Sequence, residues 1–137
     1  MPVRPAFRQW QIWYVTWSND AGGASPRRAL LLSGASQVAN GRLWFACIRE
    51  KRPPGQYFTA IRRSEFPDQH RMTGLTYELC HVDPTDLRLF KPEEVGDYAG
   101  ELPLVWQRDV AFKRLVIERL NAERKKIGAV PLPTPEP

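Results

Sequence analysis

The sequence predicts a mainly β fold, a small curled antiparallel sheet or barrel closed by one C-terminal helix. Three observations predict it. Through the first two thirds of the chain, apolar residues recur in short runs, several alternating with the period of half-buried strands. Clusters of Gly, Asn, Asp and Pro separate those runs with turn chemistry. Beyond about Leu104 the spacing lengthens to that of a helix, and no helices alternate with the early strands, which disfavours a doubly wound α/β arrangement.

Met1 to Gln9 carries Pro2, Pro5 and two arginines, and is read as a flexible N-terminal arm (1–9). A single domain follows over 10–127, then a Pro-rich tail over 128–137. Gln11–Trp17 is the first strand, with Ile12, Tyr14 and Thr16 on one face and Trp13, Val15 and Trp17 on the other. Asn19, Asp20, Gly22, Gly23 and Pro26 form the loop before a second strand at Arg28–Ser33. Gly34 to Arg42 is polar and holds the turn dipeptide Asn40-Gly41. Leu43–Arg49, apolar and aromatic, reads as a central strand, and Glu50 to Gly55 as a charged loop stiffened by two prolines. Tyr57–Arg62 and Leu75–Val82 are further strands, joined by a long polar connection over Ser64 to Gly74. Asp83-Pro84-Thr85-Asp86 is expected to break the second of these before Leu87–Phe90 resumes, and Gly96 to Pro103 is expected to be turn-rich. From Leu104 to Lys126, Val105, Phe112, Val116 and Leu120 recur near helical spacing, and Gly128 is a natural stop before the prolines of the tail.

Composition narrows the function classes. A chain of 137 residues with 42% hydrophobic content and five Trp has enough apolar mass for one packed domain. No apolar run reaches membrane-spanning length and no cleavable leader is visible, so a cytoplasmic location is expected. Cys47 and Cys80 lie in apolar strand-like runs and read as reduced, buried thiols; a disulfide stays open. Neither has the His or Cys company that zinc spacing requires, so no metal and no cofactor is expected. A formal charge of +5 and a pI near 9.6 favour polyanionic partners, nucleic acid first, though a merely soluble basic surface gives the same numbers.

Candidate binding residues follow from where the cations fall. Arg27 and Arg28 sit where a loop is expected to meet a strand, a place where a cation meets a phosphate with little loss of side-chain entropy. Aromatic rings interleave with cations elsewhere. Most are core by alternation, and Trp10, Tyr57 and Phe58 are the expected exceptions, free to stack on bases. Arg28, Lys51, Arg52, Arg62, Arg63, Trp10 and Tyr57 are thus the nucleic-acid-binding candidates. His81 can move a proton near neutral pH or simply be a hydrogen-bonded strand residue, and His70 lies in a charged loop. Glu78 is a base if it faces the same groove as Arg27.

The ordered set "WQIWYVTW", "RRALLLS", "LWFACIREK", "TGLTYELCHVDPTDLRL" and "GDYAGELP" resembles the MazF/PemK family of toxin endoribonucleases over roughly residues 9 to 121. That resemblance implies an SH3-like antiparallel barrel of the MazF/PemK type. It also implies a two-fold homodimer, an acidic antitoxin partner, and metal-independent cleavage of single-stranded RNA. In such cleavage a 2′-hydroxyl attacks the adjacent phosphate while a base takes its proton and a cation steadies the phosphorane. By the same correspondence Arg27 is the catalytic arginine, with Arg28 beside it where the family usually has Pro. The family hydroxyl at the end of the third strand is replaced by Arg49, a poor acid or base near pH 7 but a good phosphate clamp. Ser33 and Thr59 are alternative hydroxyls, and His81 or Glu78 would move the proton. The catalytic candidates are therefore Arg27, Arg49, His81 and Glu78. The replaced hydroxyl supports a second reading, a catalytically degenerate nucleic-acid- or protein-binding module on the same fold. A gyrase-directed toxin of the related CcdB type ranks lower, because its Trp-Gly-Ile-like terminus is absent from this proline-ending chain.

Overall fold

The computed structural model describes residues 5–18, 22–49, 59–62, 79–102 and 104–132, with the side chains of 59–62, 79, 80, 84, 85, 105 and 106 outside the description. Six strands form one antiparallel sheet in the order β4-β5-β3-β2-β1-β6. They are β1 (Gln11–Ser18), β2 (Ala24–Leu31), β3 (Leu43–Arg49), β4 (Thr59–Arg62), β5 (Leu79–Phe90) and β6 (Val95–Glu101). Among the described residues, three α-helices accompany them, α1 (Ala35–Ala39), α2 (Leu104–Gln107) and α3 (Val110–Lys126), with a 3-10 turn at Pro92–Glu94.

The central strands β1, β2 and β3 carry apolar residues on both faces, so neither face can be left to water. Ile12, Leu30, Leu32, Trp44, Ala46 and Ile48 join a cluster with Phe112, Val116 and Leu120 of α3. The alternate residues Trp13, Val15, Trp17, Ala29, Leu31, Leu43, Phe45 and Cys47 form a second cluster on the opposite face. Curling the sheet closes that second face. The curl is visible where β5 meets β1, three strands away in the order: Arg88 Nη1 donates to the Ser18 carbonyl at 2.6 Å and Trp17 Nε1 donates to Asp86 Oδ2 at 3.1 Å. Alternation along β1 and β3 therefore places side chains as the sequence predicts.

Several elements differ from expectation. β2 begins at Ala24, so Arg27 and Arg28 lie inside a strand, opposite Val15 and Tyr14, not at a loop junction. Pro26 is tolerated there because β3 pairs with β2 only from Ala29 onward, leaving no ladder bond for Pro26 to lose on that side. Asp83 to Asp86 does not end β5. Cys47 faces Asp83 while the adjacent Ala46 faces Leu87, so residues 84–86 are accommodated as a bulge in a continuous strand. Gly96 to Glu101 belongs to β6, an edge strand pressed so closely to β1 that a Cβ at Gly96 would meet the Tyr14 carbonyl oxygen at 3.0 Å. The polar stretch after β2 contains the short α1, closed by the Asn40-Gly41 turn with Gly41 at φ 70°.

The expected single helix is two. Asp109 leaves helical backbone and caps α3, its side chain accepting from the Phe112 amide at 2.7 Å. Phe112, Val116 and Leu120 then recur every fourth residue on the buried stripe. Residues expected to be a loose arm are engaged: Phe7 packs on Trp13 at 4.7 Å, and Gln11 Nε2 donates to the Ala6 carbonyl. The start of the tail folds back as Leu132 N donates to Asn121 Oδ1 and Asn121 Nδ2 returns a bond to the Leu132 carbonyl.

Phe112→Ala is expected to lower unfolding free energy by about 3–5 kcal/mol, against about 1 kcal/mol for Asp109→Ala, in urea titrations followed by circular dichroism. A loss under 1 kcal/mol for Phe112→Ala would mean α3 does not cover the sheet.

Candidate nucleic acid interface

Two cross-strand rows organise the site. Val15 of β1 faces Arg27 of β2, and Arg49 of β3 faces His81 of β5, which faces Ala60 of β4. The β2–β3 ladder runs from Leu31 opposite Phe45 to Ala29 opposite Cys47 and ends there, two residues short of Arg27 and Arg49. Arg27 and Arg49 share the face of Ala29 and Cys47 by strand parity. Their charges meet at one atom. Burial pushes the Cys47 thiol up to about 11, while Arg49 and, more weakly, Arg27 pull it down.

The second row ends in a polar network across three strands. Arg49 Nε donates to Asp83 Oδ2 at 2.9 Å and Arg49 Nη2 to Asp86 Oδ2 at 2.7 Å. Arg88 Nε reaches Asp86 Oδ1 at 3.3 Å, and its guanidinium lies 4.4 Å over the Trp17 ring. The bulge makes this possible. Residues three apart on a regular strand face opposite ways, but residues 84–86 loop out and both carboxylates turn to Arg49. Burial works against the Arg49 charge, yet the Asp83 hydrogen bond and the neighbouring fields of Cys47, Asp83 and Asp86 outweigh it and hold the guanidinium above its ordinary value.

The predicted residues separate into groups. Arg27 is exposed and Arg49 half-buried, while His81 is buried in the row of Arg49. Arg28 projects to the other face, its guanidinium 5.2 Å from the Tyr14 ring centroid and its Nε buried without a hydrogen-bond partner. Trp10 is a correction. It lies in the core against Phe112 at 5.6 Å, not on the surface as a stacking platform. Its backbone, at φ 76°, takes a bond from Leu102 N and gives one to Leu31, and this turns the indole under α3. Ser33 is likewise committed: fully buried, its Oγ donates to the Arg42 carbonyl and accepts from Trp44 N. Arg62 contributes backbone to β4 opposite Leu79. Lys51, Arg52, Tyr57, Phe58, Arg63, His70 and Glu78 lie outside the described residues, as do the side chains of Thr59, Arg62 and Cys80.

Asp83, Asp86, Arg88 and Trp17 were not among the predicted site residues. The signal for them was an Arg ending an apolar strand and two Asp flanking a Pro inside another, a pattern readable only once the strands are known to be neighbours. Among the described residues no group of three or more His, Cys, Asp or Glu is placed to hold a metal ion. No helix among them is long and apolar enough to cross a membrane.

A thiol raised by burial stabilises the fold only while it stays protonated. Unfolding free energy should thus fall as pH rises from about 9 toward 11, where the unfolded chain has released the Cys47 proton and the folded chain has not. Urea midpoints measured across that range should flatten in Cys47→Ala relative to the parent; an unchanged slope would mean that Cys47 ionises normally.

No family model and no curated protein matches the sequence. Solved structures do. An endoribonuclease from a mycobacterial species aligns with TM-score 0.50 at 16% identity, over 96% of this chain and 100% of that one. A mycobacterial endoribonuclease in complex with its cognate antitoxin gives 0.49 at 16%, over 93% and 100%. MazE-MazF from Deinococcus radiodurans gives 0.48 at 13%, over 92% and 100%. Six antiparallel strands and a C-terminal helix, matched over nearly the whole chain at low identity, give this chain the fold of that mycobacterial endoribonuclease.

Proposed function

We propose that the chain is a toxin-type, metal-independent endoribonuclease that acts on single-stranded RNA. The observation that carries the reading is the exposed Arg27 of β2, close enough to Cys47 of β3 to act on its charge, beside the paired Arg49 and His81. A strand-held guanidinium meets a phosphate with its backbone already fixed, so little order is lost on binding. Arg27 would steady the negative charge that builds on the phosphorus when the 2′-hydroxyl attacks. His81 would take or return the proton. The nucleophile and the phosphate belong to the same nucleotide, so this route needs no metal to bring them together.

A second reading has its own support. Asp83 and Asp86 bind the Arg49 guanidinium, so part of the positive potential at the row is already compensated. A nucleic-acid- or protein-binding module that has lost catalysis fits that arrangement. A two-fold homodimer, an acidic antitoxin and a cytoplasmic location belong to the toxin proposal; one mycobacterial neighbour was solved with its cognate antitoxin.

Incubation with a long single-stranded RNA in EDTA separates the readings. The enzyme is expected to leave 2′,3′-cyclic phosphate ends, and Arg27→Ala to slow cleavage by about 10²–10³-fold, in the range for losing one charge-stabilising donor, with an unchanged circular dichroism spectrum. RNA binding without cleavage in parent and variant would favour the binding module.

A further inference from the structure

Three N–H donors from three strands converge on one carboxylate. Trp17 Nε1 of β1, at 3.1 Å, and Arg49 Nη2 of β3, at 2.7 Å, both donate to Asp86 Oδ2. Arg88 Nε of β5 donates to Asp86 Oδ1 at 3.3 Å. Two guanidiniums and an indole N–H around two oxygens form an oxyanion receptor, the geometry that also suits a phosphodiester. We infer that this is a phosphate subsite for RNA, and that the Asp86 carboxylate occupies it as an internal competitor in the free protein.

The proposal rests on the RNA reading above and adds a second contact point to Arg27. Three features support competition over a purely structural brace. The receptor is open to solvent, with the Arg49 and Arg88 side chains 35% and 32% exposed, so a polyanion can reach them. The carboxylate comes from a bulge, a backbone irregularity that can shift without breaking the ladder of Leu43 to Ala46 with Leu87 to Phe90. And Asp83, 5% exposed, separately holds Arg49 Nε at 2.9 Å, so the guanidinium stays oriented when Asp86 moves aside. Arg88 is also anchored independently, through Nη1 to Ser18 O and Oγ and over the Trp17 ring. The donors are thus preorganised by contacts other than the carboxylate they share.

Asp86→Asn keeps the shape and removes the charge. At low salt it is expected to bind inorganic tripolyphosphate and an oligouridylate about tenfold more tightly than the parent, as neutralising one competing charge allows. Adding Arg88→Gln to Asp86→Asn should remove the gain. Unchanged or weaker tripolyphosphate binding by folded Asp86→Asn would overturn the subsite and leave Asp86 as a brace. If that variant fails to fold, titration of the parent decides: the Trp17 indole N–H resonance, assigned through Trp17→Phe, must shift with tripolyphosphate, and a static resonance overturns the proposal. A gain for polyglutamate but not for tripolyphosphate would also overturn it, in favour of an acidic protein partner. The two proposals fail separately. Cleavage of RNA by the parent with no gain in Asp86→Asn sinks the subsite alone. A tripolyphosphate gain without RNA binding or cleavage sinks the RNA reading alone.

Discussion

Burial of both faces of β1, β2 and β3 is the constraint from which the remaining architecture follows. Trp13, Phe45 and Leu31 on one side and Ile12, Leu30 and Leu32 on the other are all within 1% of complete burial. A flat sheet with one helix can cover only one of those faces. The other is closed by curling the sheet until β5 approaches β1, which is why Trp17, Asp86, Arg88 and Ser18 meet although two strands lie between them in the sheet order. The inner cluster runs out of apolar residues at the same end of the strands, where Arg27, Arg49 and Asp83 continue the pattern of inward positions. Apolar burial thereby delivers charged side chains to the rim of the curled sheet without a dedicated loop.

That rim is electrostatically mixed. Arg49 and Arg88 are matched by Asp83 and Asp86, and the exposed Arg27 lies beyond the end of the β2–β3 ladder. A half-exposed ion pair contributes roughly 0–1 kcal/mol to stability, whereas removing one member of a fully buried pair costs about 3–5 kcal/mol. Asp83 is close to the buried limit and Asp86 is not, although both bind the same guanidinium. The two carboxylates are therefore unequal. Asp83 is tied to Arg49, because its carboxylate is already cut off from water and would stay so without the Arg49 charge that compensates it. Asp86 keeps access to water and loses less on separation.

The strands were legible because alternation is a local pattern. Trp13, Val15 and Trp17 against Ile12 and Tyr14 follow from β1 alone, and Leu43–Arg49 is recovered with its ends intact. What was not legible depended on neighbours. Gly96 looks like a turn residue, yet it lets an edge strand press against β1, a reason that exists only when β1 is beside it. Pro84 looks like a strand breaker because a bulge is invisible without the partner strand that defines two residues as opposite one. Trp10 looked exposed because it sits before the alternating run, and nothing local announces its left-handed backbone. Arg27 and Arg49 were singled out by resemblance, and the pairing of Arg49 with His81 required the register.

The arginine at the end of β3 has a structural counterpart in β5. A guanidinium placed at the end of β3, facing inward, needs counter-charge in a half-buried setting, and the bulged β5 supplies it twice. An arginine at that position without Asp83 would face the desolvation cost with only partial compensation, and a hydroxyl there would leave Asp83 buried without its cation. Arg49 and the Asp83-to-Asp86 bulge are thus physically coupled. Under the proposed function, replacing Arg49 by Thr while leaving the bulge would leave two carboxylates to repel the phosphate that Arg27 would attract. Arg49 and Asp83 act as one unit, from which the more exposed Asp86 can separate.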